Sequence, residues 1–296
     1  MTEPQHIAYG TGSGRELSLD LFAAQGPDNQ RTAVLQFHGG GWRFGSPAMT
    51  HPRCAELAEH GITVLAVEYR LLPEAPWPSQ IHDVKAAIRW TRAHAGELGV
   101  EEDRICVHGY SAGGHLALLA AGTPDVAELE GEGGNAGVSS RVAAVVALYP
   151  PIGFHASGPP EPTDPPGPPP VSEDGTVPAG GLFGRQTTEA EAKDASPIAH
   201  VGPDFPPTML VHGTADTLIS WRCSVQLHRA LVDAGVEADL RLYAGQQHAF
   251  DAAPSFGREI ANAAALFYRR TVSDRAALEA EVAQFNPFAA AGRGAG

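Results

Sequence analysis

The chain has little basic charge for its length of 296 residues. It contains 20 Lys and Arg against 34 Asp and Glu, which gives a formal net charge of −14 at pH 7. Nucleic acids are bound chiefly through Lys and Arg contacts to phosphate, and no Lys- or Arg-rich run offsets the acidic excess. The composition therefore predicts no nucleic-acid partner.

Long apolar runs are also absent, and cysteines are few. No segment approaches the roughly 18–20 consecutive apolar residues that span a bilayer, so we expect no membrane span. The first ten residues, MTEPQHIAYG, lack the basic and apolar regions of a secretory signal. Cys54, Cys106 and Cys223 form an odd count without CxxC spacing, which is typical of reduced thiols. These absences together predict a cytoplasmic protein.

A third absence is metal-ligand spacing. His51, His60, His82 and His94 have no acidic or Cys partners at the intervals that metal sites use. We therefore expect no metal site.

Apolar runs of strand length alternate along the chain with amphipathic segments of helix length. The predicted strands are 16–22, 32–42 (which runs into a glycine loop), 62–71, 103–110, 141–150, 206–216 and 238–245. The predicted helices are 79–95, 111–122, 220–235 and 255–272. Continuous apolar strands between helices predict an α/β fold, with a mainly parallel sheet and helices on both faces.

Two stretches do not fit this pattern. Residues 155–181 are rich in Pro and Gly and nearly lack large apolar side chains, which predicts a long inserted loop with few apolar contacts. The tail from about 286, NPFAAAGRGAG, is predicted to fray. Because no internal repeat and no second set of strands is present, we expect residues 1–296 to form a single domain.

The stretch VHGYSAGGH, residues 107–115, places a serine where a predicted strand turns into a predicted helix. Gly109 and Gly113 allow a sharp turn, because a side chain at either position would collide with the neighbouring backbone. Such a turn exposes the Ser111 hydroxyl at the end of the sheet and directs the N-terminus of the helix at whatever the serine attacks. This G-x-S-x-G pattern is that of a nucleophile elbow, so Ser111 is the predicted nucleophile.

A nucleophilic serine needs a base within hydrogen-bond reach, and the base needs a carboxylate to orient it. In open parallel sheets such groups collect in loops past the carboxyl ends of strands. After the predicted strand 206–216 only His228 and His248 remain. His228 lies inside an amphipathic helix, whereas His248 lies in AGQQHAF, just past the last clear strand. His248 is therefore the predicted base.

The predicted acid is Asp216, which also follows a strand, TMLVHG. The alternatives are Asp251, in the same loop as the base, and Glu173 or Asp174 in the Pro-rich segment. With Asp216 as the acid, the chain order of nucleophile, acid and base is the one expected of an α/β-hydrolase.

A tetrahedral intermediate needs N–H donors for its oxyanion. The N–H of Ala112, directly after the nucleophile, is one candidate. FHGGGW supplies the others, because consecutive glycines after a strand leave N–H groups unshielded. We expect Gly39 and Gly40 to contribute, and Gly41 remains open. Trp42, next to them, is the predicted substrate-binding residue, as a wall of the acyl site.

Two further histidines near these motifs have other predicted roles. His38 is expected to fix the glycine loop through a hydrogen bond. His115, one turn into the helix after the nucleophile, is expected to lie in the core or to support the residues around the site.

In combination these motifs resemble the α/β-hydrolases of the esterase/lipase group related to hormone-sensitive lipase. HGGGW, VEYRLLPEAPWPSQIHDVKAAIRW, GYSAGGH, ASPI, PPTMLVHGTADTLI and GQQHAF stand in that family's order, across roughly residues 30–270. The resemblance implies a carboxylic-ester hydrolase that needs no cofactor.

One departure from that family concerns the start of the chain. Only 37 residues, mostly one strand, precede HGGGW, so the N-terminal cap is expected to be reduced. This is more similar to small esterases that act on feruloyl or acetyl groups, and HGGGW also satisfies the HGGxW pattern of arylformamidases. The expected activity is hydrolysis of small, short-acyl esters through an acyl-enzyme, by a monomer or homodimer. An arylformamidase, amidase or peptidase could use the same triad, and a non-catalytic ligand-binding homologue is the minor alternative.

Overall fold

Strands and helices alternate in a computed structural model of the protein, which describes residues 3–26, 29–124, 126–159, 176–286 and 288. The strands, numbered along the chain, are β1 Gln5–Gly12, β2 Arg15–Phe22, β3 Ala33–Phe37, β4 Thr63–Val67, β5 Ile105–Tyr110, β6 Val145–Leu148, β7 Phe154–His155, β8 Val177–Pro178, β9 Thr208–Gly213 and β10 Ala238–Tyr243. The helices are α1 His51–Ala58, α2 Ser79–Ala93, α3 Ala95–Leu98, α4 Ala112–Gly122, α5 Ala127–Glu130, α6 Gly180–Phe183, α7 Glu189–Asp194, α8 Trp221–Asp233, α9 Pro254–Tyr268 and α10 Arg275–Phe285.

Eight of these strands form one sheet, in the order β1-β2-β4-β3-β5-β6-β9-β10. The first two strands form an antiparallel hairpin, and β2 is antiparallel to β4. The remaining strands of this sheet run parallel to one another; they are β4, β3, β5, β6, β9 and β10. Every residue of β3, β4, β5, β6 and β9 is buried, as expected of parallel strands covered on both faces.

Helices pack on both faces of the sheet and divide the core in two. On one face α2, α4 and α8 bury Ile88, Leu119 and Leu227. On the other face α1 and α9 bury Leu57 and Phe267. The predicted α/β architecture, a mainly parallel sheet with helices on both faces, is therefore confirmed.

Several elements were not expected from the sequence, and the three longest of them lack its usual signals. β1 lies before the predicted first strand, and most of its side chains are not buried, so it lacks the alternation that marks a strand. Helix α1 buries Arg53 and Glu56, which pair with each other, and these charges obscure its apolar face. Helix α10, all of whose residues are described, buries no side chain. It therefore has no apolar face that could have marked it as a helix in the sequence.

The predicted loop at 155–181 has regular structure at both of its described ends. β7 pairs in parallel with β8, with Phe154 opposite Val177, and both side chains are buried. The expectation of few apolar contacts therefore does not hold for these ends. Residues 160–175, including the alternative acids Glu173 and Asp174, lie outside the described residues, as do 287 and 289–296 of the predicted frayed tail.

None of the helices within the described ranges combines the length and the apolar character needed to cross a bilayer.

Candidate active site

The residues singled out from the sequence meet at one edge of the sheet. Ser111 follows β5, Asp216 follows β9 and His248 follows β10, while the glycine loop follows β3. These strands are parallel, so their carboxyl ends lie side by side and their loops share one space.

Ser111 occupies a strained turn between β5 and α4, with φ 52° and ψ −117°. The turn is tight on both sides: a Cβ on Gly109 would lie 2.1 Å from the carbonyl oxygen of Gly113, and one on Gly113 would lie 2.1 Å from that of Phe37. Only glycine fits at these two positions, because such distances are far below van der Waals contact. The N–H of Ser111 donates to the carbonyl oxygen of Leu148 at 3.0 Å, which helps to hold the strained serine at the start of α4. The first N–H groups of that helix are free of intrahelical partners.

A continuous hydrogen-bond path joins Ser111, His248 and Asp216. Nε2 of His248 lies 3.0 Å from Oγ of Ser111, and Nδ1 of His248 lies 2.7 Å from Oδ2 of Asp216. The imidazole side chain is 15% exposed, whereas the carboxylate is fully buried. With Nδ1–H donating to the carboxylate, Nε2 is free to accept the serine proton.

Asp216 has a second imidazole partner that the sequence analysis missed. Nε2 of His212 lies 3.2 Å from Oδ2 of Asp216, and the N–H groups of Leu218 and Ile219 donate to Oδ1 at 2.8 and 2.9 Å. Burial alone would raise the pKa of Asp216, but hydrogen bonds from His212, His248 and Ile219 outweigh burial and hold the pKa well below its usual range. Asp216 therefore stays ionised. The signal for His212 was its position four residues before Asp216, at the end of the same strand.

The glycine loop packs directly against the serine turn. A Cβ on Gly39 would lie 3.3 Å from Cβ of Ser111, and Gly40 has φ +117°, a conformation that favours glycine. In the described part of the chain, the N–H groups of Gly39, Gly40 and Gly41 donate no hydrogen bond to another residue. These donors stand beside Ser111 and the free N–H of Ala112 at the start of α4.

His38 fixes this loop, as its sequence position predicted. Its Nδ1–H donates to the carbonyl oxygen of Gly39 at 2.6 Å. Its ring stacks on the ring of Tyr69, with the two centroids 4.5 Å apart. Burial lowers the pKa of His38, so the ring is neutral and keeps this directional bond. The hydroxyl of Tyr69 donates to the carbonyl oxygen of His38 at 2.8 Å and so holds the same segment.

Trp42 lines the cavity beside Ser111, but its indole is directed into the protein. The side chain is only 8% exposed, and Nε1–H donates to Nδ1 of His115 at 3.2 Å. Nε2–H of His115 in turn donates to the carbonyl oxygen of Ala195 at 2.8 Å. His115 thus joins the glycine loop, the nucleophile helix and the ASPI segment, which is the supporting role predicted for it.

A cavity of about 440 Å³ opens over Ser111 and His248. Its mouth is surrounded by the apolar side chains of Phe44, Met49 and Leu218, which are 65%, 55% and 41% exposed. The inserted segment contributes to one wall through Val177 and Pro178. The cavity therefore suits a small molecule that carries an apolar group where it projects through the mouth.

Two alternatives for the acid and the base have other partners. Asp251 accepts a hydrogen bond from the Tyr149 hydroxyl at 2.5 Å and lies 3.7 Å from Nε of Arg53, so it is not the partner of His248 Nδ1. His228 lies on α8, where Nε2–H donates to the carbonyl oxygen of Ala238 at 3.1 Å. Neither residue has the contacts that a member of the triad requires.

In the ranges that the structure describes, no three His, Cys, Asp or Glu side chains lie close enough together to hold a metal ion.

The chain is similar to known proteins both in sequence and in fold. The BD-FAE family model matches residues 19–231. The probable carboxylic ester hydrolase LipM of Mycobacterium tuberculosis is 35% identical over 256 residues, which are 83% of this chain and 56% of LipM. Esterase LipQ of the same organism is 33% identical over 83% of this chain and 57% of its own. The chain thus spans little more than half the length of these relatives.

Some solved structures match this chain over nearly their whole length. Esterase 2 of Thermogutta terrifontis in its native form is 28% identical, with a TM-score of 0.73 over 90% of this chain and 92% of its own. Other structures of that esterase contain propionate or butyrate, and one is phosphorylated by paraoxon. The fold of this chain is accordingly the α/β-hydrolase fold of serine esterases.

Proposed function

The chain belongs to the BD-FAE family, and from this membership and its site we propose that it is a serine carboxylesterase that hydrolyses small, short-acyl esters. The observation that carries the proposal is the hydrogen-bond path from Ser111 through His248 to Asp216, at 3.0 and 2.7 Å. Distances of this kind connect a nucleophile to its base and the base to its orienting acid.

In the proposed first step Ser111 Oγ attacks the ester carbonyl carbon, and its proton moves to Nε2 of His248. Asp216 accepts from Nδ1–H, keeps the ring in the correct tautomer and stabilises the imidazolium that forms. The partial negative charge that develops on the carbonyl oxygen requires donors already oriented toward it. The N–H groups of Gly39, Gly40 and Ala112 are the proposed donors.

Collapse of the tetrahedral intermediate breaks the bond to the alkoxide oxygen. The imidazolium of His248 protonates that oxygen, the alcohol leaves, and the acyl group remains bonded to Oγ of Ser111. A water molecule then attacks the acyl carbon while His248 accepts its proton. Protonation of Oγ by the same imidazolium releases the carboxylic acid and restores the free enzyme.

The proposed substrate has a short acyl group and an apolar alcohol group. The cavity volume of about 440 Å³ leaves room for a small ester. The apolar mouth formed by Phe44, Met49 and Leu218 would contact the group that projects outward. The esterase structures that contain propionate or butyrate support a short acyl group in a related site. We propose that Trp42 contributes a buried wall of the acyl side.

Labelling by a fluorophosphonate probe, combined with ester hydrolysis, tests this function. We expect the wild-type protein to be labelled and to hydrolyse p-nitrophenyl butyrate, and we expect Ser111→Ala to do neither. An unlabelled and inactive wild-type protein would favour the non-catalytic ligand-binding alternative.

An arylformamidase, amidase or peptidase activity would use the same residues with a nitrogen leaving group. Measuring an aryl ester, its amide isostere and an N-formyl aromatic amine side by side separates these activities. We expect kcat/KM for the ester to exceed that for the amide and the formamide. The opposite ranking would assign the site to one of the other two reactions.

Chain organisation and compartment are further proposals. A single domain is supported by the two cores, which share one sheet. A cytoplasmic compartment is supported by Cys54, Cys106 and Cys223, which are all buried and form no disulfide within the described residues. Limited proteolysis would test the single domain, and cell fractionation would test the compartment. Light scattering would distinguish a monomer from a homodimer.

A further inference from the structure

The ring of Tyr149 lies against the ring of His248. Their centroids are 4.4 Å apart, with an angle of 57° between the planes. Tyr149 is the first residue after β6, so it reaches the site from a strand that supplies none of the proposed triad. It also lines the cavity. The imidazole is therefore bounded by an aromatic face as well as by its two hydrogen-bond partners.

The Tyr149 hydroxyl connects this ring to the loop that carries the histidine. It donates to Oδ1 of Asp251 at 2.5 Å, and Asp251 follows His248 by three residues. Burial is the main reason that the pKa of Tyr149 is raised well above its usual range, and the neighbouring Asp251 carboxylate raises it further. The hydroxyl therefore keeps its proton and remains the donor.

Asp251 is anchored in turn by Arg53 of α1. Nη2 of Arg53 donates to the carbonyl oxygen of Asp251 at 2.5 Å, and Nε lies 3.7 Å from its carboxylate. Glu56 accepts from Nη1 at 2.9 and 3.0 Å and balances the buried charge. Gly257 leaves room for this arrangement, because a Cβ there would lie 2.1 Å from the guanidinium carbon. The far end of the histidine loop is thus fixed to another helix.

Backbone strain indicates why the loop needs such an anchor. Ala249, directly after His248, has φ +58°, and Tyr149 has φ +40°, both in the left-handed region that residues with a side chain rarely adopt. Such conformations persist only where surrounding contacts hold them. Before the histidine, the N–H of Ala215 donates to the carbonyl oxygen of Gln246 at 3.0 Å. After it, Asp251 provides the corresponding contact.

We propose that Tyr149 and Asp251 are positioning residues that, anchored by Arg53, hold the imidazole of His248 at its distance from Ser111. This inference rests on the proposed esterase function and extends it beyond the triad. Small displacements of a base from its nucleophile reduce the rate of the chemical step strongly, whereas substrate contacts outside the reacting atoms are unaffected. Loss of the anchor should therefore lower kcat more than it changes KM.

The test measures kcat and KM for p-nitrophenyl butyrate, per active site titrated with a fluorophosphonate, in single and double variants. We expect Tyr149→Phe and Asp251→Ala each to lower kcat about tenfold or more, with KM within about threefold. The double variant should be hardly worse than either single variant, because the two residues act through one hydrogen bond. Asp251→Asn, which keeps an oxygen acceptor for the hydroxyl, should recover part of the lost rate.

Tyr243→Phe is the matched control. It also removes a tyrosine–carboxylate hydrogen bond, to Oε1 of Glu259 at 3.0 Å, but at the end of β10 outside the cavity. We expect its kcat to stay within about twofold of the wild-type value. Thermal unfolding of each variant identifies a loss of rate that comes from loss of fold, and if Tyr149→Phe does not fold, Asp251→Ala and Asp251→Asn carry the comparison.

Three results would overturn the inference while leaving the esterase proposal intact. These are unchanged kcat in Tyr149→Phe and Asp251→Ala, a loss confined to KM, or losses that multiply in the double variant. A wild-type protein that is neither labelled nor active would instead refute the esterase proposal itself.

Discussion

Nε2 of His212 lies 3.2 Å from Oδ2 of Asp216, the same carboxylate oxygen that accepts from His248. Nε2–H of His212 also reaches the carbonyl oxygen of Ile219 at 3.1 Å, while Nδ1 accepts from the Ser224 hydroxyl at 2.8 Å. One tautomer satisfies all of these contacts. Two imidazoles therefore hold the Asp216 carboxylate, and of these His248 lines the cavity whereas His212 is fully buried.

The first prediction concerns His212. Replacing it with Phe removes a donor to Asp216 and leaves the Ser224 hydroxyl without its partner. We expect kcat to fall about threefold to tenfold, because His248, Leu218 and Ile219 still hold the carboxylate. KM should change little. Steady-state kinetics of His212→Phe test this, and a loss as large as that of Asp216→Asn would mean that His212 is indispensable to the acid.

The second prediction concerns Ser111 and His248. Ser111→Ala and His248→Ala should each lower kcat by on the order of 10⁴–10⁶, because each removes a group without which the other cannot act. The double variant should be hardly slower than either single variant. Rate measurements on the three proteins would detect the opposite result, in which the two losses multiply.

The third prediction compares two aspartates. Asp216→Asn should lower kcat by on the order of 10²–10⁴, since the amide favours the wrong imidazole tautomer without removing the base. Asp251→Asn should cost much less, because Asp251 contacts Tyr149 and Arg53 rather than Nδ1 of His248. Parallel kcat measurements decide between them, and a near-normal Asp216→Asn beside a crippled Asp251→Asn would transfer the role of acid to Asp251.

Much of the fold and of the site could be predicted because the signals are local. Apolar strands bounded by glycine loops indicated the parallel sheet, and the α/β-hydrolase fold is confirmed. The G-x-S-x-G pattern selected Ser111, and the rule that functional groups follow strand ends selected Asp216 and His248. His248 lies within hydrogen-bond distance of both Ser111 and Asp216. Their catalytic roles stay predictions until variants are measured.

The parts that were missed depend on contacts between distant segments. Arg53 looks like an exposed helix charge until Glu56 and Asp251 surround it. Tyr149 looks like a core residue until its ring meets that of His248. Hydropathy patterns carry no information about such pairings. The signal that could have found Tyr149 is its place directly after a parallel strand, which is the rule that selected Asp216 and His248.

The fourth prediction concerns stability in acid. Burial lowers the pKa of His108 to about 3 and that of His115 to about 4, from an ordinary value of 6.5. In the unfolded chain both take up a proton below about pH 6.5, whereas in the folded protein they do not. Their contribution to stability is therefore complete above pH 6.5 and is lost as the pH falls toward 4.

Two such groups give a slope of about 3 kcal/mol per pH unit between roughly pH 5.5 and 4.5, about half of it from each histidine. Urea unfolding of the wild-type protein and of His108→Gln across this range tests the assignment. The variant should lose about half of that slope. An unchanged slope would show that His108 is already protonated in the folded protein.

The last prediction concerns the apolar mouth of the cavity. Leu218 is 41% exposed and lines the cavity, whereas Leu266 is 51% exposed on α9, away from it. Leu218→Ser keeps the backbone N–H that donates to Asp216 but removes apolar surface that would contact the alcohol group. We expect KM for p-nitrophenyl butyrate to rise about threefold to tenfold, with kcat within about threefold, because each buried CH₂ contributes about 0.8 kcal/mol. Leu266→Ser, a matched change in exposed apolar surface, should leave both constants unchanged. Equal effects in the two variants, or efficient cleavage of C12–C16 acyl esters by the wild-type protein, would contradict a short-acyl site with an apolar mouth.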